Sequence, residues 1–254
     1  MRPFEDLRGK VTLITGAASG IGAAVTSAYA AAGARCAIHY RSSSTRAEQL
    51  SKEAREHGTE ARIYRADLVR EGAAAALVED VVRDFGRLDV LICNAGGLVA
   101  RTPLEQTTDA FFDDVINLNF RSVVATCAAA MPHLVQSRGN VILTGSIAAR
   151  NGGSAGVSLY AAAKAAVQSL VRTGAKEFSD RGVRFNAVAP GVILTDFHKS
   201  TPPETLETFR NAIPLKRLGR AEDCVGAYLF LGSDVMSGYI TGQVIEINGG
   251  QLTP

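Results

Sequence analysis

The sequence predicts an α/β protein, a Rossmann-type doubly wound parallel sheet in three α-β-α layers that forms a single domain over residues 1–254. Three observations predict it. Short apolar runs alternate with long helix-period segments through most of the chain. A glycine-rich turn follows the first apolar run. Apolar residues make up 46% of the chain, enough for a sheet covered on both faces.

In order, Val11-Thr-Leu-Ile-Thr15 is the first strand and a helix is expected over 21–32. Cys36-Ala-Ile-His-Tyr40 is the second strand, followed by a polar helix near 47–57. A third strand at 61–64 leads to a helix near 72–85. Val90-Leu-Ile-Cys93 is short and uncharged, the signature of a strand buried on both faces. One long helix is expected over 109–137, and Val141-Ile-Leu-Thr144 follows as a strand. A helix over 158–179, a strand over 183–188 and a helix over 221–231 precede Gln243-Val-Ile-Glu-Ile247, which closes the sheet. The stretch 193–218 contains Thr201-Pro-Pro-Glu204 and Ile213-Pro214; it is expected to be irregular and to cover the substrate as a lid.

Composition excludes several classes of function. Charged residues are 20% of the chain, the net charge is +2 and tryptophan is absent, which leaves no basic run or aromatic platform for nucleic acid. Cys36, Cys93, Cys127 and Cys224 are too far apart in sequence for a zinc knuckle or a redox pair. His39, His57, His133 and His198 are equally scattered, so no catalytic metal is expected. No run of 18 apolar residues exists, and the acidic first residues lack the apolar core of a signal peptide. A soluble, cytoplasmic protein is the expectation.

In a doubly wound sheet, ligands sit beyond the C-terminal ends of the strands, so the residues after each strand carry the chemistry. The first strand runs into Thr15-Gly-Ala-Ala-Ser-Gly-Ile-Gly22. Gly16, Gly20 and Gly22 allow a tight turn and close approach of a pyrophosphate. Ser19 and Ile21 lie where the following helix would offer its N–H groups and positive dipole end. The alternative is a glycine-rich turn that serves packing alone. The second strand ends in His39-Tyr-Arg-Ser42 with no acid, which would otherwise hold the ribose hydroxyls of NAD. Arg41 and Ser42 instead suit a 2′-phosphate, which favours NADP(H) and leaves NAD(H) as the alternative. The competing reading is that Arg41 and Arg46 merely solvate a loop. Tyr160 and Lys164 stand four apart on a helical pattern, so both project from one face. A neighbouring ammonium would lower the phenol from its usual value near 10 towards the working range.

Taken together, Thr15 to Gly22, Cys93-Asn-Ala-Gly96, Tyr160-x-x-x-Lys164 and Pro190-Gly191 resemble the short-chain dehydrogenase/reductase family over nearly the whole chain. The resemblance implies a nicotinamide-dependent oxidoreductase that interconverts a carbonyl and a secondary alcohol. It implies Tyr160 as general acid or base, Lys164 as its partner and ribose ligand, and Ser146 as the group that orients the substrate oxygen. Fourteen positions separate Ser146 from Tyr160, a slightly longer loop than in many relatives, and Ser154 and Ser158 are rivals for the role. Asn119 matches the fourth catalytic position, with Asn117 as its confusable neighbour; the alternative is a polar residue that loosens a helix turn. Asp67 and Leu68 resemble the adenine-contacting pair, and Asn94, Ala95 and Gly96 the loop beside the adenine ribose. Pro190, Gly191, Ile193 and Thr195 resemble the segment that holds the nicotinamide amide.

Within the family, the general look is that of bacterial 3-oxoacyl-acyl-carrier-protein reductases. Arg138 and Arg181 fall where those enzymes face an acidic carrier, and two solvated arginines are the alternative. The substrate is therefore expected to be a small carbonyl or alcohol, or one linked to an acyl carrier protein. The competing functions are an NAD-dependent sugar, polyol or steroid alcohol dehydrogenase, a silent dinucleotide-binding sensor and a methyltransferase-like fold. The Ala-rich helices around 125–130 and 161–166, with a second contact at 242–254, point to a homotetramer or homodimer by the same resemblance.

Overall fold

A computed structural model describes residues 4–199 and 201–253. Met1, Arg2, Pro3, Ser200 and Pro254, which belong to the N-terminal stretch, the expected lid and the expected C-terminal contact, lie outside the described residues. Seven strands form the sheet: β1 (Val11–Thr15), β2 (Arg35–Tyr40), β3 (Ala61–Arg65), β4 (Val90–Cys93), β5 (Asn140–Thr144), β6 (Arg184–Pro190) and β7 (Val244–Ile247). Their spatial order is β3-β2-β1-β4-β5-β6-β7, and every neighbouring pair is parallel. The order reverses between β1 and β4, which opens a crevice at their C-terminal ends.

The connecting helices are α1 (Gly20–Ala31), α2 (Ser44–Glu56), α3 (Ala73–Phe85), α4 (Asp109–Ile116), α5 (Ser122–Ser137), α6 (Ala148–Asn151), α7 (Ser158–Phe178), α8 (Pro203–Ala212), α9 (Ala221–Gly232) and α10 (Asp234–Ser237). Alternation along the strands splits the core in two. Leu13, Leu91 and Leu143 pack with Leu77, Leu134 and Val171 of α3, α5 and α7. Ile14, Ile92 and Ile142 pack with Val25, Leu50 and Leu231 of α1, α2 and α9 on the opposite face. The three-layer architecture follows from that division.

Two expectations need correction. The helix expected over 109–137 is interrupted by a π-helical segment, Asn117–Arg121, between α4 and α5. Asn119 Nδ2 donates to the Val115 carbonyl at 3.0 Å from inside that segment, a side-chain bond to the preceding turn of the kind that loosens a helix. The stretch 193–218 is not simply irregular, since it holds a 3-10 turn, Asp196–His198, and the helix α8. Proline at the first position of α8 and Glu204 in its first turn are helix-start features, whereas the paired prolines read as breakers in sequence.

Candidate active site

The glycine turn is built for close approach. Gly16 has φ of +63°, a conformation that disfavours any side chain, and a Cβ there would stand 2.9 Å from Ala95 Cα. A Cβ on Gly22 would fall 2.5 Å from Asn94 Nδ2 and press on the Gly16 carbonyl oxygen. Asn94 Nδ2 in turn donates to the carbonyls of Thr15 and Gly16 at 3.2 and 3.1 Å. Thr15 Oγ1 accepts from the Asn94 and Ala95 amides, both at 3.0 Å. The loops after β1 and β4 are thus locked side by side over the crevice. Ser19 heads α1 without a side-chain capping bond, so no side chain of the cap competes for the first-turn N–H groups, and Ile21 follows in the same turn. This cradle of backbone, with a helix N-terminus behind it, fits the pyrophosphate of a dinucleotide.

Sequence reasoning missed the residue that fixes the cradle. His39 is buried at the end of β2; its Nδ1 accepts from the Gly16 amide at 3.0 Å, and its Nε2 lies 3.1 Å from the Ala66 carbonyl. Burial holds its pKa below the ordinary imidazole value, so the ring is neutral and has one nitrogen for each role. A lone histidine in a strand gives no periodic signal, and only the sheet order brings it under the loop.

Further along this edge, Arg41 and Ser42 are exposed after β2, and the Arg41 carbonyl accepts from Arg65 Nε at 3.4 Å. Arg65, a second guanidinium at the end of β3, was also missed. Asp67 is half-buried beside Arg70 at 3.8 Å, and Leu68 is buried in the core.

Most of the remaining expected residues gather in a cleft of about 540 Å³ at the C-terminal edge. Tyr160, Lys164 and Ser146 all line it. Lys164 is buried, with Nζ donating to the Thr144 carbonyl at 2.9 Å and standing 5.8 Å from the Tyr160 ring centre. Ser146 Oγ accepts from the Ala148 amide at 3.1 Å, and its carbonyl accepts from Gln168 Nε2 at 3.0 Å. Both anchors hold the serine in the turn after β5. Ser154, its rival, is exposed at the cleft mouth.

Asn119 rather than Asn117 meets the loop after β4. Its Oδ1 accepts from the Gly97 amide at 2.9 Å and its Nδ2 donates to the Gly97 carbonyl at 3.0 Å. Gly96 separates that carboxamide from Lys164: a Cβ there would lie 2.9 Å from Asn119 Oδ1 and 3.2 Å from Lys164 Nζ. Pro190, Gly191 and Ile193 line the opposite wall, and the Thr195 side chain lies 3.2 Å from where a Gly20 Cβ would stand. The Thr195 side chain therefore meets the cradle at Gly20.

The electrostatics correct one expectation. Burial raises the Tyr160 phenol to about 12, and the nearby Ser146 hydroxyl is the influence that opposes it. Lys164 does not lower the phenol here, because the buried lysine gives up its own proton before the phenol titrates. Burial pushes the lysine itself down to about 8. The phenol thus holds its proton throughout the neutral range. Cys93 and Cys127, 34 positions apart, are free thiols packed in the apolar core with their Sγ atoms 3.9 Å from each other. Arg138 and Arg181 precede β5 and β6, so within one chain they stand at the end of the sheet opposite the cleft.

Comparison with known proteins agrees with the fold and the motifs. A family model described as enoyl-(acyl carrier protein) reductase matches residues 16–251. The 3-oxoacyl-acyl-carrier-protein reductase FabG of Thermotoga maritima is 39% identical over 244 residues, 96% of this chain and 98% of that protein. The 3-oxoacyl-acyl-carrier-protein reductase of Synechocystis is 37% identical over 251 residues, 97% of this chain and 98% of that protein. Among solved structures, the NADH-dependent reductase A1-R′ responsible for alginate metabolism has a TM-score of 0.92 at 40% identity, covering 98% of this chain and 100% of its own. These matches span nearly the whole chain, and the glycine cradle and the Ser146, Tyr160 and Lys164 cleft stand where the motifs lead. The chain belongs to the short-chain dehydrogenase/reductase family and is a nicotinamide-dependent oxidoreductase of carbonyls and secondary alcohols.

Proposed function

We propose that this oxidoreductase works with NADP(H) in preference to NAD(H) and reduces a 3-oxoacyl thioester, with Asn119, Ser146, Tyr160 and Lys164 as its catalytic residues. The observation that carries the catalytic part is the meeting of Ser146, Tyr160 and Lys164 in one cleft beside the glycine cradle. When bound, the dinucleotide supplies or accepts hydride. Ser146 Oγ orients the carbonyl oxygen, and the Tyr160 hydroxyl, protonated at neutral pH, gives it a proton. Lys164 holds the nicotinamide ribose and restores charge balance behind the phenol. Asn119 keeps the 96–97 loop against Lys164 through its paired bonds to Gly97. Gly16, Ser19, Gly20, Ile21 and Gly22 hold the pyrophosphate; Asp67, Leu68, Asn94, Ala95 and Gly96 hold the adenosine. Pro190, Gly191, Ile193 and Thr195 hold the nicotinamide, and the segment 193–218 covers the substrate.

The thioester reading draws support from the 3-oxoacyl-acyl-carrier-protein reductases to which the chain is similar. A second reading, reduction of a hydroxylated oxo sugar with NADH, draws support from the similarity to an NADH-dependent reductase of alginate metabolism. Initial rates with acetoacetyl thioesters and with oxo sugars, each with NADPH and NADH, separate the two. The first reading expects the higher kcat/KM for thioester with NADPH.

Arg41 supports the choice of NADP(H), since it is exposed at the end of β2 with no acid beside it on the strand. Replacing it by alanine is expected to raise KM for NADPH by about tenfold while KM for NADH changes little, because a charge-assisted bond to phosphate is lost. Equal changes for both cofactors would remove Arg41 from the phosphate.

Assembly as a homodimer or homotetramer draws support from exposed apolar and aromatic side chains. Phe112 and Val124 are 46% and 38% exposed on α4 and α5, and Tyr239 stands fully exposed before β7. Light scattering is expected to give a mass of two or four chains; the mass of one chain would refute it. In such an assembly Arg138 and Arg181 could reach an acyl carrier protein only at a neighbouring copy's cleft.

A further inference from the structure

The proposed substrate cleft carries a cation that proton and hydride transfer do not use. Arg101, on the loop after β4, lines the same cleft as Tyr160. Its Nη1 donates to Ser154 Oγ at 2.6 Å and lies 3.4 Å from the Ala155 carbonyl, so the guanidinium is held across the mouth. The rim beneath it is set by backbone: the Thr102 amide donates to the Gly156 carbonyl at 2.9 Å. Neither partner of Arg101 is charged, and among the described residues no carboxylate pairs with it.

The surroundings sharpen what the cation could take. His198 lines the cleft on the 3-10 turn after Thr195. Burial first, and then the Arg101 guanidinium, keep its pKa below the ordinary imidazole range, so the ring is neutral at pH 7. The buried Gln251 Oε1, on a residue that also lines the cleft, has no hydrogen-bond partner and would accept from a hydroxyl or amide. Asp196 is the one acid on the cleft wall among the described residues, and it follows Thr195 beside the glycine loop rather than standing at the Ser154 rim. A guanidinium held by neutral oxygens keeps N–H donors and its whole charge for an incoming anion.

We infer that Arg101 is the anion-recognition residue of the substrate site, so that the oxo substrate carries a carboxylate or phosphate beyond its reacting carbonyl. This rests on the reductase reading and names the substrate chemistry within it. The two sources of negative charge are an oxo acid and the phosphate of a phosphopantetheine-linked thioester.

Matched pairs of substrates test it. The pairs are 4-oxopentanoate with its methyl ester, and acetoacetyl-4′-phosphopantetheine with acetoacetyl-pantetheine. In the wild-type protein the anionic member of at least one pair should have the lower KM. Arg101→Met should raise that KM by about tenfold, the worth of one charge-assisted contact, and leave kcat and the uncharged member within twofold. Arg101→Lys should restore part of the preference. The pair that responds identifies carboxylate or phosphate as the source. If both members of each pair shift alike, or the wild-type protein does not distinguish them, Arg101 only ties the rims together and the inference is overturned. Should no member be reduced, the reductase reading fails separately. Calorimetric titration of 4-oxopentanoate and of 4′-phosphopantetheine into the dinucleotide-loaded protein then decides: weaker binding to Arg101→Met supports the anion site, and equal binding overturns it.

Discussion

Tyr160→Phe is expected to lower kcat for carbonyl reduction by about three orders of magnitude, within the span that a positioned general acid contributes. The substitution removes one oxygen and keeps the ring, whose centre lies 5.5 Å from that of Phe197, so the fold and the dinucleotide Kd should stay within about threefold. Burial keeps the phenol near 12, so reduction should not lose its acid anywhere in the neutral range. The group that titrates first is Lys164, at about 8 in the absence of dinucleotide. Its value is depressed, so the ammonium is present below that pH and lost above it. KM for the dinucleotide should therefore rise as pH increases through about 8. Stopped-flow traces at 340 nm and titrations across pH 6.5–9.5 give both readouts. A phenylalanine variant with full kcat would end the assignment, and a flat KM would take the ribose from Lys164.

Gly22→Ala is expected to abolish measurable dinucleotide binding at concentrations that saturate the wild-type protein, a loss of about a hundredfold or more in Kd. The added Cβ would press on the Gly16 carbonyl oxygen and stand 2.5 Å from Asn94 Nδ2. Either the first turn of α1 must move off the loop or Asn94 must release the carbonyls of Thr15 and Gly16. Both outcomes spoil the cradle, and overpacking of this kind costs about 1–3 kcal/mol of stability. Thermal unfolding separates the effects. A variant that melts a few degrees lower but binds as tightly as wild type would show that the close approach at Gly22 serves packing alone. Gly16→Ala makes a second check, because its φ of +63° adds backbone strain to a contact with Ala95.

Much of the architecture was legible because strand and helix periods differ and the strands are nearly pure apolar runs. Val90-Leu-Ile-Cys93 could only be a strand buried on both faces, and β4 lies at the centre of the sheet. The glycine turn and the Tyr160-Lys164 spacing were legible because each is local: a turn needs its glycines in sequence, and two side chains four apart share a helix face. What sequence hid is of a different kind. The π-helical turn at Asn117–Arg121 keeps the apolar pattern of a long helix, and only the Asn119 side chain, bonded to Gly97 on the loop after β4, reveals why the helix loosens there. α8 was hidden because two adjacent prolines read as a break, although proline is well suited to a first helical turn.

The sequence by itself determined the parallel α/β fold, the family and the identity of the residues at the strand ends, because these are fixed by periodicity and by motifs a few residues long. Tertiary structure alone decided which distant residues meet. It put the neutral His39 beneath Gly16, placed Tyr160 and Lys164 where burial governs both, brought Cys93 against Cys127, and sent Arg138 to the far end of the sheet. The physical reason is that hydrogen bonds, desolvation and charge act over a few ångströms through space. Separation along the chain says nothing about that distance until the strand order is known.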